Sequence, residues 1–383
     1  MNILFVSHED KLFGASKSLI NLIDELKEKH NCMVVTRSSD GDFALELKRR
    51  GIKIIPARYY TWEISKKQSG VDLMWWSHRM FWFLCGRPME IIAARKIKKQ
   101  LSCKIDIIHV NSGVVDLGIY LKNVLKCPLI WHLREFGLED FGYVPYLPLD
   151  KFYGNIDKAD GLIAISDAIC AKFKKHISDE KIRRIYNGVD TNNIIKNKTY
   201  HLDKQEKMVV LISGSKISKA KGQNLAIKAF EIINKKGINN IELRIAGYGE
   251  LKEIGITSYP SNVIFLGHVD NMNEQRSDVD VELVCSRCEA FGRVTVEAML
   301  GGIPVIGANT GGTPELICDG ENGYIFEYGN AQDLADKILE FYNNRESIKV
   351  MGEKAQKYAL NNFLIERCAK EIEEYYYEIL QRS

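Results

Sequence analysis

The 383-residue chain lacks the marks of several large classes. No low-complexity run interrupts it, and 45% hydrophobic with 27% charged residues falls in the range of folded globular proteins. Its nine cysteines are odd in number and scattered, with only Cys285 and Cys288 close together, which argues against a secreted disulfide framework and for a reducing compartment. No Gly-x-Gly-x-x-Gly follows the first apolar run, which argues against a nicotinamide dehydrogenase. Recognition-helix and zinc-finger patterns are missing and the basic residues are dispersed, so nucleic acid is not an expected partner. The opening Asn2-Ile-Leu-Phe-Val-Ser has neither a basic leader nor a small-residue cleavage site; the expectation is a first strand rather than a signal peptide, and a cytoplasmic protein.

What the chain does have is alternation. ILFVS (3–7), CMVVT (32–36), DIIHV (106–110), PLIWHL (128–133) and GLIAIS (161–166) are strand candidates separated by amphipathic helical patterns. The polar, Asn/Lys-rich stretch 187–207 breaks the pattern, which restarts with MVVLISG (208–214), ELRIAG (242–247), DVELVCS (280–286) and IPVIG (303–307). Length and pattern together predict two α/β domains, residues 1–200 and 201–362, each a parallel sheet covered by helices, with ligands beyond the carboxyl ends of the strands and a cleft between the halves. From about Ala355 to Leu380 runs one long helical pattern, expected to pack back across the halves, with residues 363–383 returning to the first domain. The net charge of +3 hides an asymmetry: residues 1–200 hold 32 basic and 23 acidic side chains, and the remainder 21 and 27. A basic first half suits an anionic surface or acceptor.

Residues 71–100 combine Trp75, Trp76, Trp82, Phe81 and Phe83 with the basic run AARKIKKQ, and residues 51–100 carry 10 basic and 3 acidic side chains. Ser77, His78 and Arg79 interrupt the apolar run too early for a bilayer span. Two readings stay open: a peripheral contact with an anionic membrane face, or a buried helix with a solvated basic side.

Three segments of the second half carry candidate chemistry. SGSKISKAKGQNLAIKAF places Lys221-Gly222 at the start of a helix, where an ammonium and backbone N–H groups can meet phosphate; a lysine on an exposed turn is the ordinary alternative. CEAFGRVTVE is the exit loop of a buried strand followed by a helix start, and it sets Glu289 and Glu297 toward one ligand space. There carboxylates can accept hydrogen bonds from sugar hydroxyls and the amides of Phe291, Gly292 and Arg293 can face a diphosphate. A helix-dipole role for Glu297 and a surface role for Glu289 remain the alternatives. ANTGGTPELI, with Gly311 and Gly312 before Thr313-Pro314, offers a second N–H cradle. Asp278-Val-Asp280 has a D-x-D form but enters an apolar strand, and Cys285-x-x-Cys288 lacks a second pair, so no metal site is expected.

The run S-R-C-E-A-F-G-R-V-T-V-E-A-M-L-G-G-I-P-V-I-G-A-N-T-G-G-T-P-E-L-I resembles the signature of the family 4 retaining glycosyltransferases, and the likeness extends to LRIAGYGE, FLGHV, FGASKSL, WHLREFG, ADGLIAISDAI and IYNGVD. The resemblance implies the GT-B fold, two Rossmann-like, doubly wound domains facing a central cleft. It further implies that the second domain holds a nucleoside-diphosphate sugar, with UDP favoured over GDP as the nucleotide and no cofactor or metal, and that the first meets a glycan or lipid-linked acceptor. Carried over by position, His132, Lys221 and Glu289 would be catalytic. Gly14, Ser215, Lys216, Phe291, Gly292, Arg293, Val294, Glu297 and Gly312 would line the donor. His109 and Asn187 match weaker positions and stay unassigned. The family's Gly-Arg before its Lys-Gly is absent: Gly214 is followed by Ser215 and Lys216, and a lysine offers a point charge rather than a fork. The resemblance thus implies a metal-independent hexosyltransferase of polysaccharide or glycoconjugate synthesis. A nucleotide-sugar epimerase or hydrolase of related fold and an inactive glycan-binding scaffold are the rivals.

Overall fold

The computed structural model describes residues 1–65 and 73–382, and within them every side chain except those of residues 64, 65, 73–75, 78, 79, 83 and 215. Expectations placed on residues 71 and 72 and on the side chains of Trp75, Phe83 and Ser215 lie outside the described residues. The chain divides into two compact units, residues 1–188 with 365–383, and residues 189–364.

The first unit contains β1 (Asn2–Val6), β2 (Asn31–Thr36), β3 (Lys53–Pro56), β4 (Glu63–Ser65), β5 (Ile107–Val110), β6 (Leu129–Leu133), β7 (Tyr143–Pro145), β8 (Gly161–Ala164) and β9 (Ile182–Arg184). Seven of them form a parallel sheet in the order β3-β2-β1-β5-β6-β8-β9, while β4 and β7 pair antiparallel beside it. The central strands β5, β6 and β8 are buried at every position, as parallel strands covered on both faces must be. Helix Gly14–Leu26 turns Leu19, Ile20, Leu22, Ile23 and Leu26 onto the sheet, the i, i+3, i+4 spacing of one buried face.

The second unit contains β10 (Met208–Lys216), β11 (Ile241–Tyr248), β12 (Val263–Gly267), β13 (Val281–Val284), β14 (Val305–Ala308) and β15 (Gly323–Phe326), all parallel, in the order β12-β11-β10-β13-β14-β15. β10 and β13 are neighbours at its centre, so the loops that follow them open side by side beyond the carboxyl edge. Two glycines shape those loops. Gly222, at φ +77°, starts helix Gln223–Lys235, and a Cβ there would lie 2.2 Å from the Cys285 carbonyl oxygen. Gly311, at φ +58°, passes so close to Glu289 that a Cβ would stand 2.4 Å from its carbonyl oxygen.

The C-terminal segment differs from the single long helix expected. Helix Glu346–Asn362 belongs to the second unit and helix Ile365–Arg382 to the first, with a break at Phe363 and Leu364. Phe363 is the cause: its ring turns into the second unit's core against Tyr358 and Phe291, and its carbonyl accepts from Val189 N at 2.8 Å, which ends the helical ladder. The last helix then buries Ile372, Tyr375, Tyr376 and Ile379 in the first unit.

Candidate functional site

In the second unit, the loop after β13 and the start of helix Gln223–Lys235 meet through a charged contact. Lys221 Nζ donates to Glu289 Oε1 at 2.6 Å, and Ser286 Oγ donates to the same oxygen at 2.6 Å. Burial would raise the Glu289 carboxyl, but the Lys221 ammonium and the Ser286 hydroxyl outweigh it and hold the group below the usual carboxylate range. The backbone fixes this geometry: Arg287 N donates to the Ala220 carbonyl at 2.7 Å and Gly312 N to the Glu289 carbonyl at 2.7 Å. The Gly312 amide is therefore engaged in bracing the Glu289 loop, and Gly312 caps only a four-residue helix, Thr313–Leu316.

Glu297 sits in helix Arg293–Leu300, which starts at Gly292 with φ +99°. Its carboxylate accepts from Arg293 Nη2 at 3.2 Å and from Arg276 Nη1 at 3.4 Å. Burial again pushes the carboxyl up, and Arg293 and Arg276 together bring it below its ordinary value. Arg276 is buried and forked onto Glu282 at 2.8 and 3.0 Å, and Glu282 also accepts from Ser213 Oγ at 2.6 Å. This chain of buried charge, running from β10 through β13 to Glu297, was not visible in the sequence. The Phe291 ring is buried against Phe363, Val294 is half-buried, and Lys216 is exposed at the end of β10, where the pairing with β11 shifts register. Ser215 lies on the same strand end. At the carboxyl ends of β11 and β12 the exposed rings of Tyr248 and His268 stack at 3.9 Å, a flat surface that the sequence reading did not single out.

In the first unit, His132 near the end of β6 is fully buried, and its Nε2 has no hydrogen-bond partner among the described residues. Its Nδ1 lies 3.1 Å from His109 Nε2 and 3.3 Å from Arg134 Nη2. Arg134 also donates to Asn111 at 2.7 Å and to Asn187 at 2.7 Å, so the unassigned His109 and Asn187 both belong to this cluster. Beside it Glu135 accepts from Ser112 Oγ at 2.7 Å and Gly113 N at 2.6 Å. Burial lifts Glu63 to about 7 and raises Glu135. Burial would lower His8, yet Glu9, Glu135 and Glu63 outweigh it and raise this imidazole. His8, Ser112 and Glu135 lie just beyond β1, β5 and β6, three adjacent strands, so this acidic group stands at the unit's carboxyl edge. Gly14 opens helix Gly14–Leu26, and among the described residues no atom lies within 4 Å of where its Cβ would be.

Of the two sequence features set aside as metal candidates, the D-x-D is bound up in the fold, and Cys285 and Cys288 are not joined by a disulfide. Asp278 pairs with both Arg244 amino groups at 2.8 and 3.0 Å, while Asp280 accepts from His201 and from Val209 N. Among the described residues, no group of three or more His, Cys, Asp or Glu is arranged to hold a metal. Helix Leu73–Gln100 exposes Trp76, Met80, Phe81 and Leu84 in its first half and buries Ala93, Ala94 and Ile97 in its second. Among the described residues no helix is long and apolar enough to cross a membrane.

Comparison with known proteins follows the same division. The profile of the group 1 glycosyl transferases matches residues 195–358, and that of glycosyltransferase family 4 matches residues 14–193. The chain is similar to N-acetyl-alpha-D-glucosaminyl L-malate synthase of Bacillus anthracis, 28% identical over 313 residues that cover 77% of this chain and 80% of that protein. It is similar to the capsular polysaccharide biosynthesis glycosyltransferase CapM of Staphylococcus aureus, 27% identical over 298 residues, covering 72% and 77%. Its fold is that of Anabaena HepE, solved with UDP and glucose, at a TM-score of 0.74 and 22% identity over 98% of this chain and 99% of that one.

Proposed function

The chain belongs to the family 4 glycosyltransferases of GT-B fold, and from that premise we propose that it moves a hexose-type sugar, with retention of anomeric configuration and without a metal, from a UDP-sugar to a glycan or lipid-linked acceptor. The observation that carries this is the Lys221–Glu289 pair, with Glu297 on the following helix, beyond the carboxyl ends of the adjacent strands β10 and β13.

A departing diphosphate needs cationic and N–H donors that are in place before charge develops. Lys221 and the N-terminus of helix Arg293–Leu300 supply them, with Lys216 and Ser215 at the end of β10 beside them. Glu289 takes hydroxyls of the donor sugar and Glu297 those of the ribose, each an ionised acceptor held by its cation. Phe291 and Val294 keep the Gly292 turn in place, so that its backbone approaches the phosphates closely, and Gly312 holds the Glu289 loop from behind. The flat Tyr248–His268 surface suits a nucleobase. In the first unit His132 donates to the sugar, Gly14 leaves room for the phosphates, and the acidic group of His8, Glu63 and Glu135 takes acceptor hydroxyls. No step requires a cofactor.

The relatives act, by their names, on N-acetylglucosamine and malate or in capsular polysaccharide synthesis, and HepE was solved with UDP and glucose. They support a UDP-sugar and a role in cell-surface polysaccharide or glycoconjugate synthesis; that this takes place at the inner face of a membrane is part of the proposal. The exposed Trp76, Met80, Phe81 and Leu84 in the first half of a helix whose second half carries the exposed Arg95, Lys96, Lys98 and Lys99 support peripheral membrane contact. Co-sedimentation with vesicles should then rise with anionic lipid and fall on Trp76→Ser/Phe81→Ser substitution; indifference to both would remove it. The reaction is tested by incubating UDP-sugars with and without acceptor. Nucleotide release that depends on acceptor supports transfer, whereas an isomerised or free sugar from donor alone supports an epimerase or hydrolase.

A further inference from the structure

His132, His109 and Tyr376 form a buried line that crosses from β6 through β5 to the C-terminal helix. Tyr376 Oη lies 2.6 Å from His109 Nδ1, and His109 Nε2 lies 3.1 Å from His132 Nδ1. All three side chains are fully buried, and Arg134, itself buried, reaches His132 Nδ1 at 3.3 Å. Guanidinium groups only donate and do not lose their proton in proteins. A proton on His132 Nδ1 would set two donors against each other beside a fixed positive charge, so Nδ1 is the acceptor and the ring's single proton sits on Nε2. His109 Nε2 must then carry a proton to face His132 Nδ1, which leaves His109 Nδ1 to accept from the Tyr376 hydroxyl. One arginine thereby dictates three proton positions.

We propose that Arg134, His109 and Tyr376 are positioning residues that lock His132 as a neutral imidazole whose Nε2–H is a fixed hydrogen-bond donor to an oxygen of the bound sugar or diphosphate, and that His132 is not a base. The unpartnered, fully buried Nε2 is the end of the line from which that bond is made. A base would need a lone pair at Nε2 and a stable imidazolium. Burial, and then the Arg134 charge, push both imidazoles toward the neutral form, His109 to about 3. Around Tyr376 the titratable neighbours are the Cys32 and Cys368 thiols, which burial keeps protonated. The identity of the oxygen rests on the glycosyltransferase reading; the proton positions do not.

Two measurements on the whole chain separate these parts. Long-range proton–nitrogen NMR of histidine-labelled protein should show pyridine-type Nδ1 and pyrrole-type Nε2 for both His109 and His132. The opposite pattern at either ring overturns the proposal whether or not any sugar is transferred. In a transfer assay, His132→Gln keeps an N–H near the Nε2 position, and should stay within about tenfold of wild type, the worth of one hydrogen bond. His132→Ala should lose at least tenfold more. Equal loss in both variants, with folding intact by circular dichroism, refutes the donor role and leaves the functional reading to be judged on acceptor-dependent nucleotide release alone.

Discussion

Glu289→Gln should do two opposite things. Lys221 now spends part of its charge on Glu289 Oε1, 2.6 Å away, and an entering diphosphate must compete for it. The Lys221 side chain is 36% exposed, so the pair is partly screened and contributes about 1 kcal/mol rather than the several of a fully buried pair. Removing the carboxylate charge frees the ammonium and lifts repulsion of the phosphates, so UDP should bind about fivefold more tightly. The sugar, in contrast, loses an ionised acceptor for its hydroxyls, and transfer should fall about tenfold or more. Isothermal titration with UDP and a steady-state transfer assay on the same preparation read the two effects. The tightening should shrink at high salt, because the site is partly open. Unchanged or weaker UDP binding would mean that Lys221 does not hold the diphosphate.

Arg276→Met leaves the buried Glu282 carboxylate with Ser213 as its remaining hydrogen-bonding partner from this network, and should cost about 3–5 kcal/mol in denaturant melts. Replacing Glu282 with Leu as well should recover most of that loss, and a single variant within 1 kcal/mol of wild type would refute the network's weight. The pH dependence of stability has a definite sign. Burial raises Glu63 to about 7 and also raises Glu90, Asp116 and Glu135, so the folded first unit holds protons that the unfolded chain releases above about pH 4.3. Between about pH 5 and 7 these four carboxyls should lower stability as pH rises, by up to about 1.4 kcal/mol per unit each. His109 and His132, held neutral in the fold, oppose them below about pH 6.5, but two imidazoles against four carboxyls leave a net fall, and Glu63→Gln should flatten the slope. Melts that become more stable over that interval would contradict the assignment.

The central strands were legible because parallel strands covered on both faces must be apolar throughout; β1, β2, β5, β6, β8, β10, β11, β13 and β14 all fall on runs that stand out in the sequence. The strands left unread are the edges, β3, β9, β12 and β15, and the short β4–β7 pair. Lys53–Pro56 and Ile182–Arg184 are brief and partly exposed, so they mix lysine and arginine with isoleucine and lose the apolar signature. The long final helix failed for another reason. Its periodicity runs on across Phe363, and only the burial of that ring in the second unit ends the first helix. In the candidate site, Lys221, Glu289 and Glu297 stand out in the sequence because turn glycines and strand ends bracket them within short windows. His109 and Tyr376 meet across 267 positions, and nothing in either segment announces the other. Arg276 was hidden because its partners Glu282 and Glu297 lie on a strand and a later helix, and nothing in its own short helix marks it as buried.

The most direct test of the account is acceptor-dependent release of UDP by wild type and Lys221→Ala, measured over a panel of UDP-sugars with the anomeric configuration of the product read by NMR. Wild type should release UDP only with acceptor present and give a retained linkage. Lys221→Ala should be slower by about a hundredfold or more, as when a preorganised charge-stabilising group is lost, with its fold unchanged. Full activity in the variant, or conversion of donor without acceptor, would contradict the account.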